Sequence, residues 1–331
     1  MSTTHTIFGA GPGGLYTAWR LATGGTLSPG DTIELVEWGD YSFDGRDSGT
    51  RLPAGRICSY HYKGDVQNSY IEVGGMRYIE WDDDKKEGHQ LVTKTISAVG
   101  LDPEVVPFLT TDNPLYYLRG KTYYQNQLTA GEVKAPYNTG ANTKPSDDLV
   151  SDVSTLATNG NDVSDRTAQC AYYSDGTLKG VSSVVYKDGD NVGNIGYWNF
   201  FYDQAGNEGY QYAKSGGGYN SNTINWNAAN ASVYNGEFAP GGTFKTLKTG
   251  YSSLFVSLYQ RAVAAAEAAQ ITLTLTQRTR LHSIWMDGDV ITYRTASADN
   301  PDRADGPSRT TDVAFLAMPP HAVELVARAT R

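Results

Sequence analysis

Strand-forming residues open the chain in one short block, Thr6-Ile7-Phe8, which gives way to glycine in FGAGPGGLYTAWRLA. Such a block predicts a buried strand, and the LYTAWRLA that follows predicts a helix. Gly24, Gly25 and Pro29-Gly30 break that helix, and the next apolar run, Thr32–Val36, predicts a second buried strand ended by Glu37. Further along, HQLVTKTISAVG predicts a helix. Near the C-terminus, Leu254, Leu258, Ala262, Ala265, Ala266 and Ala269 share one stripe, which predicts an amphipathic helix, and ITLTLTQ predicts a strand after it. RLHSIWMDGDVITYR predicts a hairpin closed by Asp287-Gly288. Helix and strand thus alternate at both ends of the chain. From residue 79 the character changes to a Tyr-, Asn- and Gly-rich middle with helical pieces, in which 142–165 reads as loop or linker.

The glycines make the first unit specific. Gly9, Gly11 and Gly14 stand at G-x-G-x-x-G spacing between a strand and a helix, the arrangement of a dinucleotide cradle. The first glycine permits the turn, the second lets backbone approach a pyrophosphate, and the third lets helix and strand pack closely. Pro12 and Gly13 complete the loop at a helix N-terminus whose unpaired N–H groups suit an anion. Glu37 lies 37 − 14 = 23 residues beyond the last glycine, near the ~20 expected for the carboxylate that accepts hydrogen bonds from an adenosine ribose. The cradle by itself does not separate FAD from NAD.

Composition narrows the setting. At 331 residues, 39% hydrophobic and 19% charged, the chain has the make-up of a globular protein with a sizeable core. A net charge of −9, with no block of basic residues, argues against a nucleic-acid partner. No apolar run reaches the ~20 residues of a membrane-spanning helix. Cys58 and Cys170 read as free thiols in a reducing compartment, and with no signal-peptide pattern the expected location is cytoplasmic. The histidines are scattered, without metal-ligand spacing, so no metal site is expected. The Asp82 to Asp84 run followed by lysines reads as a solvated helix start.

Past Glu37 come Arg46, Arg51 and Arg56, then AGRICSYHYKGDVQNSYIEVGGMRYIEW. Here the chain resembles the flavin-dependent amine oxidases and, within them, the L-amino acid oxidases. Ala54-Gly55-Arg56 is similar to the family's GGR stretch, with Ala for its leading Gly, and Glu72-Val73-Gly74-Gly75-Met76-Arg77 to its glycine pair followed by Met-Arg. NPLYYLRGK from Asn113, GYWNFF from Gly196, GGGYNSNTINWNAANA from Gly216, FKTLKTGYSSL from Phe244 and AFLAMPP at 314–320 extend the resemblance over nearly the whole chain. It implies FAD as cofactor, held by Gly9, Gly11, Pro12, Gly13, Gly14, Glu37 and Arg56, with Gly74, Gly75 and Met76 passing beside the flavin. It implies that Arg77 anchors a substrate carboxylate. Tyr219 and Trp226 are the foremost of many aromatics expected to line a side-chain pocket. No side chain is marked as catalytic acid or base.

The fold so implied is α/β: a Rossmann-like FAD-binding domain in two parts, residues 1–78 and 243–331, around a mainly helical substrate-binding domain, residues 79–242. The activity is oxidation of an L-amino acid to the 2-oxo acid, ammonia and hydrogen peroxide, with oxygen as acceptor. A monoamine or polyamine oxidase, an amino-acid 2-monooxygenase and a non-catalytic FAD-binding subunit are the alternatives. Relatives continue past the AMPP strand into a C-terminal block that covers the flavin, whereas this chain stops at VELVARATR. The expectation is therefore a portion or subunit of the enzyme, with a second chain carrying the rest in a higher oligomer.

Overall fold

A computed structural model describes residues 2–40, 55–61, 69–84, 88–109, 112–139, 145–216, 226–237 and 243–330. The chain opens with strand β1 (Thr4–Phe8), helix α1 (Pro12–Thr23) and strand β2 (Thr32–Val36). Next come β3 (Ile57–His61), β4 (Tyr70–Gly74), the short β5 (Tyr78–Ile79), α2 (Gln90–Ala98) and β6 (Val105–Pro107). A hairpin follows, β7 (Leu115–Leu118) with β8 (Lys121–Tyr124), then α3 (Gln125–Thr129), α4 (Ser146–Thr158), α5 (Arg166–Asp175), α6 (Tyr197–Gly216) and α7 (Ala228–Glu237). The last stretch holds β9 (Phe244–Leu247), α8 (Ser253–Ala268), β10 (Thr272–Thr276), β11 (Thr279–Asp287), β12 (Val290–Ser297), β13 (Asp305–Thr311), β14 (Val313–Leu316) and α9 (Pro320–Thr330). Two compact units result: Met1–Phe108 with Thr243–Arg331, and Leu109–Gly242.

The first unit is built on a parallel sheet of order β10-β2-β1-β14. β1 pairs with β2 from Thr4↔Thr32 to Phe8↔Val36, and with β14 from His5↔Val313 to Phe8↔Leu316. One face of this sheet carries a core in which Ile7, Ile33 and Leu35 meet Leu15, Ala18 and Ala22 of α1 and Leu254, Leu258 and Ala266 of α8. Small residues on both helices let them approach the sheet closely, and each buried Leu or Ile contributes roughly 1.5–3 kcal/mol relative to exposure. The stripe read from the α8 sequence is the face that packs here. Elsewhere in the unit, β11, β12 and β13 form an antiparallel meander, whose Leu281 and Tyr293 cluster with Phe8, Val36 and Val326. Asp287 pairs with Val290, so the two loop residues of the hairpin are Gly288 and Asp289, one position later than the sequence pattern implies. Gly288 takes φ 61 at the first loop position, where a two-residue hairpin turn favours glycine.

Two glycines of the opening motif are explained by contact. Gly9 adopts φ 109, and a Cβ placed on it would lie 2.4 Å from the Ala317 carbonyl oxygen. A Cβ on Gly14 would lie 1.8 Å from the Gly9 carbonyl oxygen. The end of β1, the start of α1 and the residue after β14 therefore converge where no side chain fits. Gly11, at φ −74 and ψ −172, has extended backbone open to any residue.

Residues 79–108, expected in the insertion, fold with the first unit. β5 and β6 flank β9 in one small sheet, and Ile96 and Val99 of α2 join the core against α1 and α8. That pairing spans more than a hundred residues of sequence, and local periodicity carries no trace of it. The Asp82 to Asp84 run is a turn rather than a helix start: Asp82 Oδ1 accepts from the Asp84 backbone N–H, and Asp83 from Trp81 Nε1.

In the second unit, part of the segment read as linker is α4. Its Val153 and Ala157 are buried against Tyr197, Phe200 and Phe201, while Asp147 and Asp148 sit in its first turn, where the helix dipole favours acids. A helix whose polar residues dominate the local composition still forms because its narrow apolar edge meets an aromatic core. Arg119, at the β7–β8 turn, donates two bonds to Glu208 and one to the Pro136 carbonyl while its guanidinium lies 4.1 Å from the centroid of the Tyr137 ring. Among the described residues, no helix is long and apolar enough to cross a membrane.

Gly14→Ala is expected to destabilise the first unit by about 1–3 kcal/mol through overpacking, and to abolish nucleotide retention with it. Chemical denaturation, measured against Gly13→Ala, where an added Cβ meets nothing within 4 Å, and binding of ADP as a probe, measured against the wild type, test this.

Candidate functional site

The cradle is assembled from the sheet's C-terminal edge. The Gly9 N–H donates to the Val36 carbonyl, which draws the loop across β2, and Leu15 N–H to the Gly11 carbonyl begins the helix. Pro12 occupies the first helical turn, where its missing N–H costs nothing. Glu37 is 7% exposed. Its Oε2 accepts from the Ala10 N–H at 2.6 Å and its Oε1 from the Gly39 N–H at 2.6 Å. Glu37 thus braces the glycine loop, and each carboxylate oxygen keeps a second lone pair for a ribose hydroxyl. The space around Gly13 is open, and the first-turn amides of α1 are the groups a helix leaves for an anion. These residues fit the dinucleotide portion of FAD.

A second group lies on the β3–β4 ribbon. Ile57 pairs with Gly74, and a Cβ on Gly74, at φ 121, would come within 1.9 Å of the Arg56 carbonyl oxygen. The ribbon therefore places Arg56, which is exposed, beside the glycine pair. A Cβ on Gly75 would touch the Ile57 side chain at 3.2 Å. The Met76 carbonyl accepts from Thr246 Oγ1 at 2.8 Å, tying this crossing to β9.

Arg77 emerges from that crossing. Its guanidinium carbon lies 4.1 Å from the centroid of the Phe244 ring and 5.2 Å from that of Phe108. Stacking of this kind occupies the faces of the cation and leaves the direction of its N–H donors in the plane. Arg77 lines a cleft of about 480 Å³ together with His89, Gln90, Leu91, Val92 and Tyr251. His89 precedes α2 and exchanges bonds with Ile79: Nδ1 accepts from the Ile79 N–H, and the His89 N–H donates to the Ile79 carbonyl. Leu91 is 60% exposed, an apolar side chain held at the cleft. Tyr251 is buried, stacked on Tyr78, and burial pushes its phenol up to about 12.

Beneath Tyr251 sits Glu72. Its Oε1 accepts from the Tyr251 N–H at 2.6 Å and its Oε2 from Ser59 Oγ at 2.8 Å. Burial raises the Glu72 carboxyl above its ordinary value, and those two hydrogen bonds pull it partly back.

The first unit therefore gathers Gly9, Gly11, Pro12, Gly13, Gly14 and Glu37 at the sheet edge, and Arg56, Gly74, Gly75, Met76 and Arg77 on and after the ribbon. Trp226 belongs to the second unit, partly exposed and edge-on to Tyr234 at 4.8 Å. Arg46, Arg51, Ala54 and Tyr219 lie outside the described residues. The residues that sequence reasoning did not single out are Glu72, Leu91, Val92 and Tyr251. Glu72 and Tyr251 stand inside segments that resemble the amine oxidases, yet nothing local marks either as lining or bracing a cleft. Among the described residues, no group of three or more His, Cys, Asp or Glu side chains is placed to hold a metal ion.

No protein-family model matches the chain. A solved structure assigned as a protoporphyrinogen oxidase, from Exiguobacterium sp. 255-15, aligns over 99% of this chain and 62% of its own, with a TM-score of 0.50 and 18% identity. An engineered putrescine oxidase aligns over 98% of this chain and 59% of its own, at a TM-score of 0.48 and 13% identity. Achacin from Lissachatina fulica is 28% identical over 134 residues, which are 40% of this chain and 20% of Achacin. The chain thus spans about three fifths of the solved structures and matches one fifth of Achacin. The likeness to the Exiguobacterium protein is one of fold, an α/β fold on a parallel sheet.

Glu37→Gln is expected to weaken the cradle by roughly 1–3 kcal/mol, because an amide oxygen can serve only one of the two backbone donors and its NH2 then faces the other; denaturation midpoint and ADP affinity should fall together. The pH dependence rests on Glu72. A folded-state value above the unfolded one means the folded chain holds the proton more tightly, so the contribution is full below pH 4.5, the ordinary carboxyl value, and is lost as pH rises through the raised value. The free energy of unfolding of the wild type relative to Glu72→Gln should therefore decline across that window; a flat difference would contradict the assignment.

Proposed function

We propose that this chain is the FAD-binding portion of a flavin-dependent oxidase that acts on L-amino acids. The observation that carries the reading is Arg77: a cation held against two aromatic rings, lining a cleft just after a glycine pair, in the same unit as a dinucleotide cradle. FAD, when bound, supplies the two-electron acceptor that amine oxidation needs. The overall conversion is of an L-amino acid, oxygen and water to a 2-oxo acid, ammonia and hydrogen peroxide.

The chain's own residues bind and orient. Gly9, Gly11, Pro12, Gly13 and Gly14 present backbone N–H groups to the pyrophosphate, Glu37 accepts from ribose hydroxyls, and Arg56 forms charge-assisted bonds to phosphate oxygens. Gly74, Gly75 and Met76 carry the backbone past the isoalloxazine. Arg77 holds the substrate carboxylate in a planar fork, which a simple amine lacks. Leu91, Val92 and Tyr251 give the cleft an apolar side. Trp226 and Tyr219 belong to what serves as a substrate-binding domain, and their role in this reading is recognition of the substrate side chain. Further polypeptide, supplied by a second chain in a higher oligomer, covers the flavin. The cytoplasm is the compartment in which Cys58 and Cys170 stay reduced.

The direct test is an absorbance spectrum of the chain purified with FAD, then anaerobic mixing with a panel of L-amino acids and with the matching decarboxylated amines. Bleaching by amino acids alone is the expected result. Arg77→Ala should cost about 1.5–3 kcal/mol in kcat/KM for amino acids. Unchanged kinetics in that variant, or bleaching by the amines instead, overturns the reading.

A further inference from the structure

We propose that Glu72 is a positioning residue, which sets the distance and orientation of the Tyr251 wall relative to Arg77 across the cleft. The inference rests on the reading of Arg77 as a carboxylate anchor and deepens it. Glu72 lies on β4, two residues before Gly74 and five before Arg77, on the strand that delivers the anchor. Tyr251 lies two residues before α8, nearly 180 residues away in sequence. One carboxylate fork joins the two segments: an oxygen takes the Tyr251 N–H, and the other takes Ser59 Oγ.

Ser59 extends the brace. Its Oγ accepts from the Ser252 N–H at 3.0 Å, and its own N–H donates to Ser252 Oγ at 3.3 Å. Ser59 and Ser252 are both buried, and a Cβ on Gly250, at φ 93, would fall 2.5 Å from Ser59 Oγ. The turn that leads into α8 is thereby held close against the ribbon. Its ring is fixed as well: Tyr251 stacks on Tyr78 and meets Phe255 edge-on at 6.2 Å. A Cβ on Gly75 would lie 3.9 Å from Tyr251 Cδ1, so the wall also abuts the glycine pair.

A half-buried carboxylate is a costly way to join two segments. It is retained where two donors from different elements must be held in one plane, since a carboxylate oxygen pair is a rigid fork and a hydroxyl is not. Loss of Glu72 leaves the Tyr251 N–H and the Ser59 hydroxyl without their acceptor, and the cleft wall is free to shift away from Arg77. Glutamine keeps an oxygen for the Tyr251 N–H and can donate to Ser59 Oγ, so it should rescue the geometry.

The test uses the full chain and benzoate, a carboxylate with an apolar ring, followed by calorimetric titration. Glu72→Ala is expected to raise the benzoate dissociation constant roughly three- to tenfold, the size of one lost hydrogen bond, while Glu72→Gln stays near the wild-type value. Hydrogen exchange at the Tyr251 amide should accelerate in Glu72→Ala and not in Glu72→Gln. Ile33→Val, a change in the sheet core, controls for a general loss of stability. If Glu72→Ala does not fold, Ser59→Ala, which removes one arm of the fork, should raise the constant in the same direction. Wild-type affinity in Glu72→Ala, or an equal loss in Ile33→Val, overturns the positioning role. Binding that depends on Glu72 but is indifferent to Arg77→Ala overturns the anchor reading and leaves the brace standing. No binding of benzoate by the wild type overturns both.

Discussion

Everything in the first unit depends on one steric constraint: the carbonyl oxygens of Gly9 and Ala317 occupy the positions where Gly14 and Gly9 would carry side chains. This contact lets the tip of β1, the N-terminus of α1 and the end of β14 meet at one point. The parallel order β10-β2-β1-β14 and the brace from Glu37 to Ala10 are built outward from it. Because the convergence is made of backbone, it presents N–H groups rather than side chains at the sheet edge. An anionic ligand with adjacent phosphates is the chemistry such a surface suits.

The cleft is made on a different principle. Its pieces come from the crossing after β4, from His89 and the first turn of α2, and from the turn before α8. Cross-braces tie these pieces together: Phe244 and Phe108 on the Arg77 cation, Thr246 on Met76, Ile79 on His89, Glu72 on Tyr251. Apart from the Ile79–His89 brace, whose partners are 10 residues apart, each runs between segments distant in the chain. The position of the cation is thereby fixed by the two rings. A guanidinium held by ring stacking loses less freedom on binding than one that must first be ordered.

Much of the frame is legible in the primary structure because its signals are local. The G-x-G-x-x-G spacing, the apolar runs of β1 and β2, the stripe of α8 and the alternation around the β11–β12 turn each involve neighbours within one or two turns of chain. The misreadings have one origin. Residues 79–108 were expected in the insertion, and α4 was expected to be loop, because what places them is contact with distant segments: β9 for β5 and β6, the aromatic core for Val153 and Ala157.

From its residues alone the chain determines that a dinucleotide cradle opens it, that Glu37 faces that cradle, and that a glycine pair delivers an arginine. Glycine freedom, strand period and helix period are properties of short stretches, so these features are written in order. Only the tertiary structure decided that Leu91, Val92 and Tyr251 stand with Arg77 around one cleft and that Glu72 holds the wall. Packing between elements separated by up to 179 residues depends on loop closure and burial, and no short-range pattern encodes those.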